Sequence, residues 1–365
     1  MVAPAPTPTD RSDPIASPRA TVWLNPADLS PASFGIAMAT GILSLGAHMF
    51  GLTLLSRALF GLNLIVLATL SVLTAWRLWR HPRRCFADLV DHRRGPGYFT
   101  TVAGCAIVGA ECLLIGGAPT AALALFGISS GLWLLLTYAI FAAFTIKADK
   151  PTLADGIGGG WLLAVVATQS LAVLAALLAP TVGPPARSAL NFFALAMWLA
   201  AGSLYTWIVS LIFYRYTFFP LRPSDLTPPY WINMGAMAIS TLAGALLVLH
   251  AGDAPLLGAL LPFLKGFTLL YWACGTWWIP LLLVLGTWRY LFARHPLRYD
   301  PQYWSVVFPL GMYAVATHEM GGALQTGVID FLPPLFFAAA LGAWVSVAAG
   351  LVASLLGRTR AAPTG

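Results

Sequence analysis

Charged residues are scarce in this chain. They make up only 9% of its 365 residues, whereas apolar side chains make up 59%. A soluble domain carries about 25% charged residues, because its surface must face water. The shortage of charge therefore excludes a soluble globular protein. The apolar runs are continuous and do not alternate with polar residues, which excludes a transmembrane β-barrel as well.

Cysteine and enzyme motifs are also scarce. Only Cys85, Cys105, Cys112 and Cys274 are present, with no CxxC pair and no His/Cys cluster at zinc spacing, so neither a disulfide framework nor a metal or other cofactor is predicted. No GxSxG, HExxH or P-loop motif occurs in a suitable context, which argues against an enzyme. The chain has no basic stripe beyond its loop charges, so nucleic-acid binding is not predicted.

What the chain does have is ten apolar spans, each near the ~20 residues that cross a bilayer. Their limits are 31–50, 54–77, 98–117, 119–145, 158–179, 188–214, 230–250, 262–291, 302–322 and 332–356. The predicted fold class is an all-α polytopic membrane protein with ten transmembrane helices. We expect a transmembrane domain at 30–357, a disordered cytoplasmic tail at 1–29 and a short cytoplasmic tail at 358–365.

The positive charges predict an orientation. The tails and the loops after even-numbered spans hold 17 of the 20 Lys and Arg residues, and only Arg57, Arg187 and Lys265 lie on the other side. The positive-inside rule makes the first side cytoplasmic. We therefore expect a multi-pass protein of the cell inner (plasma) membrane with both termini in the cytoplasm. The same bias explains most of the net charge of +7, which consequently says nothing about a cargo.

A repeat of roughly seventy residues underlies the ten spans. Prolines follow the basic ends of the even spans, and aromatic residues begin the odd spans. The markers are Pro82, Pro151, Pro220 and Pro296, and Phe34, Phe99, Trp161, Trp231 and Trp304. Their near-constant spacing predicts a helical hairpin that is used five times.

The two helices of each hairpin differ in composition. Odd spans are rich in small residues, and even spans are rich in Leu, Trp and Phe, which suit lipid. The simplest assembly is an inner ring of five odd helices inside five even helices. Two interpretations of the small residues stay open: they line a passage along the ring axis, or they only allow close helix packing. The pore-lining candidates are Thr40, Gly41, Gly104, Thr168, Gly235, Pro309 and Gly311.

The ninth span contains a helix-breaking residue. Pro309 has no N–H, so the carbonyl of Ser305 loses its helical partner, and in lipid such a group must be satisfied by protein or by a water-lined cavity. Phe308 stands directly before this break. A bulky ring beside a kink is suited to a pore constriction, and the alternative is an ordinary buried kink with a core phenylalanine.

Four titratable residues lie in the outer halves of odd spans: His48, Glu111, His318 and Glu319. A carboxylate within the membrane is a functional hypothesis by default, and histidine titrates near neutral pH. One interpretation is a proton-coupling ring at the outer mouth. The alternative is a set of structural Glu–His contacts, or carboxylates that reach the interface. Because His318 and Glu319 are adjacent, they cannot both face one axis.

Three stretches resemble the tellurite-resistance/dicarboxylate transporter family, which includes plant slow anion channels, fungal malate transporters and sulfite efflux pumps. They are PASFGIAMATGIL at 31–43, WACGTWWIPLLLVLGTW at 272–288 and YWSVVFPLGMYAVAT at 303–317. The resemblance implies five helical hairpins, a pore lined by the odd helices, and a homotrimer with one pore per subunit. It also implies that Phe308 is the aromatic gate of the ninth helix and that the small residues of the odd helices line the pore.

The resemblance implies transport of small inorganic or organic anions across the lipid bilayer. One mechanism is a passive or gated channel for small monovalent anions, and another is a proton-coupled transporter of C4-dicarboxylates such as malate. A third is a tellurite- or sulfite-resistance exporter that works with a soluble partner at the basic loop 77–97. Glu111 departs from the expected neutral residue, since an acid near an anion path repels the cargo unless it is protonated or paired.

Overall fold

The computed structural model describes residues 26–297 and 299–359, and within these ranges the chain forms helices and no strand. Most of the predicted tails, residues 1–25 and 360–365, lie outside the described residues. The long helices are α1 Gly35–Met49, α2 Thr53–Arg80, α3 Phe99–Leu114, α4 Pro119–Ile146, α5 Leu163–Leu178, α6 Pro184–Phe218, α7 Ile232–Leu249, α8 Leu261–Thr287, α9 Trp304–Leu324 and α10 Leu332–Thr359. The all-α polytopic class is confirmed.

Nine helical segments of the described residues are long and apolar enough to cross a membrane. They include every long helix except α9, which carries His318 and Glu319 near its C-terminal end. The other helices enclose α9, so it does not need an apolar outer surface. Ten crossings therefore stay a prediction, with nine supported by length and hydropathy.

Burial separates the helices into two layers. In the apolar windows of α1, α3, α5 and α7, between 67% and 94% of the residues are buried, and most residues of α9 are buried too. In the even-numbered helices the buried share is only 11–39%. Large apolar side chains such as Ile65, Leu135 and Trp207 are exposed on these outer helices, where they suit contact with lipid. The predicted difference between odd and even helices is confirmed.

The inner helices form a closed ring. Each packs against two others, in the order α1, α3, α5, α7, α9 and back to α1. Each outer helix packs against the inner helix of its own hairpin and against the inner helix of the next, with α10 returning to α1. The five hairpins are therefore equivalent units around one axis.

Basic residues at the C-terminal ends of four outer helices, α2, α4, α6 and α8, close their hairpins. Each donates a hydrogen bond to a backbone carbonyl in the segment that precedes the inner helix of the same hairpin. The pairs are Arg77 with Ala27 (3.2 Å), Lys147 with Val90 (3.3 Å), Arg215 with Ala154 (3.0 Å), and Arg289 with Leu226. The repeated basic ends thus satisfy buried or partly buried backbone carbonyls, in addition to contributing to the charge bias.

Arg215 closes its hairpin through three partners, and Arg215→Ala should destabilise the protein. Its guanidinium also donates to Pro220 O (3.2 Å) and pairs with Asp225 (3.2 Å), and its side chain is nearly buried. The substitution removes the donor to two carbonyls and leaves the Asp225 carboxylate with the backbone N–H of Arg222 and without its cation. We expect a loss of about 2 kcal/mol in the free energy of unfolding, measured by thermal unfolding of the purified protein in detergent. The exposed Arg222 is the control, and equal losses in both variants would contradict the closure.

A second repeated bond joins neighbouring hairpins, and we call it the junction bond. In each case a side chain of an outer helix donates to the inner helix of the next hairpin. The five are Asn63 Nδ2 to Glu111 Oε2 (2.6 Å), Trp133 Nε1 to Thr168 Oγ1 (2.8 Å), Trp198 Nε1 to Ser240 O (2.8 Å), Trp272 Nε1 to Thr317 Oγ1 (3.1 Å), and Trp344 Nε1 to Thr40 Oγ1 (3.1 Å). Four use tryptophan, and the α2–α3 junction uses an amide and a carboxyl group.

Candidate functional site

The centre of α9 is held between two inner helices at very short distances. A Cβ atom at Gly235 on α7 would lie 2.8 Å from Cγ of Pro309. On the other flank, a Cβ atom at Gly311 would lie 2.9 Å from Cγ2 of Ile42 on α1. Glycine is required at both positions because a methyl group would collide with the neighbouring helix. These contacts identify the two flanks of α9.

The outer face of α9 is fixed by hydrogen bonds to α8. The hydroxyl groups of Tyr313 and Thr276 lie 2.8 Å apart, and Thr317 accepts the junction bond from Trp272. At 3.6 residues per turn, the side opposite this outer face lies between the two flanks and points to the ring axis. That face carries Phe308, Met312, Val315 and Glu319. Phe308 is only 2% exposed, so its ring is enclosed within the inner ring.

The same geometry defines the axis face of the other inner helices. On each helix, the face opposite its contacts with the outer helices points inward. These faces carry Met38 and Leu45 on α1, Thr101 and Cys105 on α3, Val166 and Ser170 on α5, and Ile239 and Leu246 on α7. The hydroxyl groups of Thr101 and Ser170 donate to carbonyls of their own helices or turns. The axis surface is therefore apolar with a few hydroxyl groups and one acid, Glu319 near the C-terminal end of α9, and it has no cation among the residues named.

The predicted pore-lining residues mostly meet other helices. Thr40 and Thr168 accept junction bonds from the outer layer. A Cβ atom at Gly41 would lie 2.5 Å from Ile107 on α3, and one at Gly104 would lie 3.6 Å from α1. Together with the contacts of Gly235, Pro309 and Gly311, these positions favour the close-packing interpretation of the small residues. A pore-lining role for them stays a prediction.

Comparison with known families shows to which protein family this ring of helices belongs. The family model described as voltage-dependent anion channel, SLAC1, matches residues 28–352, which include all ten long helices except the last residues of α10. The chain belongs to this family. The resemblance to slow anion channels and sulfite efflux pumps is thereby confirmed, and the chain is a membrane transport protein of an anion channel and efflux family.

Individual relatives of this anion channel family come from distant organisms. A sulfite efflux pump of Arthroderma otae is 25% identical over 351 residues, covering 89% of this chain and 90% of that protein. An uncharacterized transporter of Methanocaldococcus jannaschii is 23% identical over 310 residues, covering 83% and 86%. An uncharacterized membrane protein of Mycobacterium tuberculosis is 42% identical over 141 residues, covering 39% and 71%.

The four titratable candidates differ in their exposure. Glu111 is fully buried against Asn63, whereas His48 and His318 are exposed and Glu319 is partly buried. No ion pair joins a histidine to a glutamate in the described parts of the chain. Proton coupling by these residues stays a prediction, and Glu319 is the one among them that lies on the axis face of α9. Within the described residues, no group of three or more His, Cys, Asp or Glu side chains forms a metal-ligand set.

Sequence reasoning missed the junction bonds, although part of the signal was visible. Asn63 is a polar residue in the middle of an apolar span, and such residues in lipid need a partner. From composition alone, the tryptophans of even spans are predicted to face lipid as bulky apolar side chains. Their indole N–H groups, which bond to threonine or serine of the next hairpin, become identifiable only once the order of hairpins around the ring is known.

Proposed function

We propose that this chain conducts small anions along the axis of its inner ring and that Phe308 closes this path. The observation that carries the proposal is the axis face of α9, on which Phe308 is enclosed at the level where Gly235 and Ile42 hold the helix on both flanks. Membership of the anion channel family supplies the class of cargo.

The axis surface suits rapid passage of anions. Apolar and hydroxyl-bearing residues such as Thr101, Ser170 and Val315 offer weak binding, and conduction requires that a bound ion can leave again. A fixed cation would hold an anion more tightly. The ring of Phe308 across such a path supplies a steric and dewetting barrier, so the resting conductance is expected to be low.

Anion flux into liposomes tests the proposal. The purified chain is reconstituted, and the fluxes of chloride, nitrate, sulfite and malate are measured with and without a pH gradient. We expect flux of small anions that needs no proton gradient. Flux of malate alone, and only with a proton gradient, would replace the channel by a coupled C4-dicarboxylate transporter.

Sulfite export is a second candidate function. It is favoured by the sulfite efflux pumps of Arthroderma otae and Trichophyton rubrum, which align with 89% of this chain. The liposome experiment separates the two, because a sulfite exporter carries sulfite in clear preference to chloride and nitrate. Equal fluxes of sulfite, chloride and nitrate would instead favour a general anion channel.

A docking role for the basic loop 77–97 has less support. Arg77 and Arg94 both pair with Asp88 (2.6 Å each), Arg84 pairs with Asp28 (3.1 Å), and Arg93 lies 3.6 Å from Asp155. These arginines thus already have acidic partners within the chain.

The proposed function includes a cytoplasmic orientation of the basic side, a location in the plasma membrane and assembly as a homotrimer. Light scattering of the purified protein in detergent tests the trimer.

A further inference from the structure

The α2–α3 junction contains an acid that the proposed path does not use. Glu111 on α3 is completely buried, and its Oε2 accepts the junction bond from Nδ2 of Asn63 on α2 at 2.6 Å. Asn63 is completely buried as well. The contact joins the interior of α2 to the last turn of α3, and both residues are sealed from solvent, so an ionised carboxylate there needs a cation or several donors to offset its desolvation.

Those requirements for a carboxylate are not met. All five ion pairs within residues 26–297 and 299–359 lie at the loops and helix ends, and none involves Glu111. The second carboxyl oxygen, Oε1, is buried without a hydrogen-bond partner, and so is Oδ1 of Asn63. An ionised Glu111 therefore has one donor for two oxygens, and an adjacent amide oxygen also has none.

A proton on Glu111 would let Oε1 of Glu111 and Oδ1 of Asn63 become hydrogen-bond partners. An amide has one donor and one acceptor edge, and a protonated carboxylic acid has the matching acceptor and donor, so the two groups can exchange two hydrogen bonds. The first of these, from Nδ2 to Oε2, is present at 2.6 Å. The second requires a hydrogen on the Oε1 side, and Oε1 and Oδ1 are the two atoms of this pair that lack a partner.

The neighbouring serine offers an acceptor and no donor. Ser44 on α1 lies beside the carboxyl group of Glu111, but its hydroxyl hydrogen is donated to the carbonyl of Ser56 at 2.9 Å. The lone pairs of Ser44 are what faces the acid, and they also favour a protonated carboxyl group.

We propose that Glu111 is a neutral acid that forms a two-bond pair with Asn63 and thereby locks α2 to α3. Gly41 on α1 makes room for this pair, because a Cβ atom there would lie 2.7 Å from Asn63 Nδ2 and 3.0 Å from Glu111 Oε2. With a neutral Glu111, all five junctions are made between uncharged groups. The acid then places no negative charge near an anion path, and it is a positioning residue that does not carry protons across the membrane.

Infrared spectroscopy of the protein in lipid tests the protonation state directly. At neutral pH we expect the carbonyl band of a protonated carboxylic acid, shifted on exchange into D₂O. The band should be lost in Glu111→Gln and kept in Glu319→Gln, which is the matched control on α9. Absence of the band in the parent, or its persistence in Glu111→Gln, would overturn the proposal.

Substitutions separate this role from the transport proposal. Gln keeps both edges of the pair, so Glu111→Gln should melt within about 2 °C of the parent and keep its anion flux and the pH dependence of that flux. Asn63→Leu removes both hydrogen bonds and should lower the melting temperature by ~5 °C or more. A stable Glu111→Gln variant that loses the pH dependence of flux would show that Glu111 titrates, which would overturn its assignment as a permanently neutral acid. Failure of the parent to conduct anions would instead overturn the proposed function and leave the infrared result untouched.

Discussion

Replacing Phe308 by alanine should raise anion flux by about tenfold, which corresponds to a barrier lowered by ~1.4 kcal/mol. The physical reason is the position of the ring on the axis face of α9, where it is 2% exposed and enclosed by the inner helices. Alanine removes the steric and dewetting barrier without adding charge. The measurement is chloride or nitrate flux from liposomes that contain equal amounts of parent and variant protein.

A second phenylalanine provides the control for Phe308. Phe337 on α10 is nearly as well buried, but it packs between the outer layer and α1, against Gly46 and the ring of Phe50. Phe337→Ala should therefore lower stability, as loss of a buried ring does, without raising flux. If Phe308→Ala conducts no better than the parent, or if both variants conduct equally, Phe308 does not close the anion path.

Adding a single methyl group at Gly235 should destabilise the inner ring. In Gly235→Ala the new Cβ atom would lie 2.8 Å and 2.9 Å from side-chain carbons of Pro309 and 3.2 Å from its Cα atom. Because the contact is with a rigid ring and with backbone, α7 and α9 must move apart. Overpacking of this kind typically costs about 1–3 kcal/mol, and the thermal unfolding midpoint in detergent reports it.

Gly266 supplies a matched control for Gly235. It also lies within a long helix, α8, but nothing is within 4 Å of the Cβ atom that alanine would add. Gly266→Ala should be neutral or stabilising by up to about 1 kcal/mol, because alanine is the better helix former. A Gly235→Ala variant as stable as Gly266→Ala would contradict the close contact between α7 and Pro309.

The hairpin repeat and the two layers could be predicted from the sequence because each leaves a mark on composition. A helix that faces lipid needs bulky apolar side chains, and a helix inside a ring needs small ones, so the contrast is visible without coordinates. The position of Phe308 directly before the helix-breaking Pro309 likewise predicts a constriction or a buried kink on α9. These inferences depend only on local sequence.

The partners of individual residues could not be predicted, because they depend on the order and rotation of helices. The sequence predicts that Thr40 lines a pore, yet its hydroxyl oxygen accepts a hydrogen bond from Trp344, which is 304 positions away along the chain. Depth in the membrane groups Glu111 with His48 and His318, whereas its carboxyl group accepts a hydrogen bond from Asn63 on the neighbouring outer helix. Depth follows from counting residues, but the direction of a side chain around its helix depends on what packs against that helix.

Accessibility of a cysteine on the axis face tests the central claim most directly. Val315→Cys and Ala314→Cys are introduced separately into a chain whose four native cysteines have been replaced. Val315 lies on the axis face of α9, and Ala314 points away from it. A small, negatively charged thiol reagent added from outside should modify the cysteine at position 315 and reduce anion flux, and it should leave the other variant unmodified and conducting. Modification at position 314 but not at 315, or full modification at 315 without any loss of flux, would contradict an anion path along the axis of the inner ring.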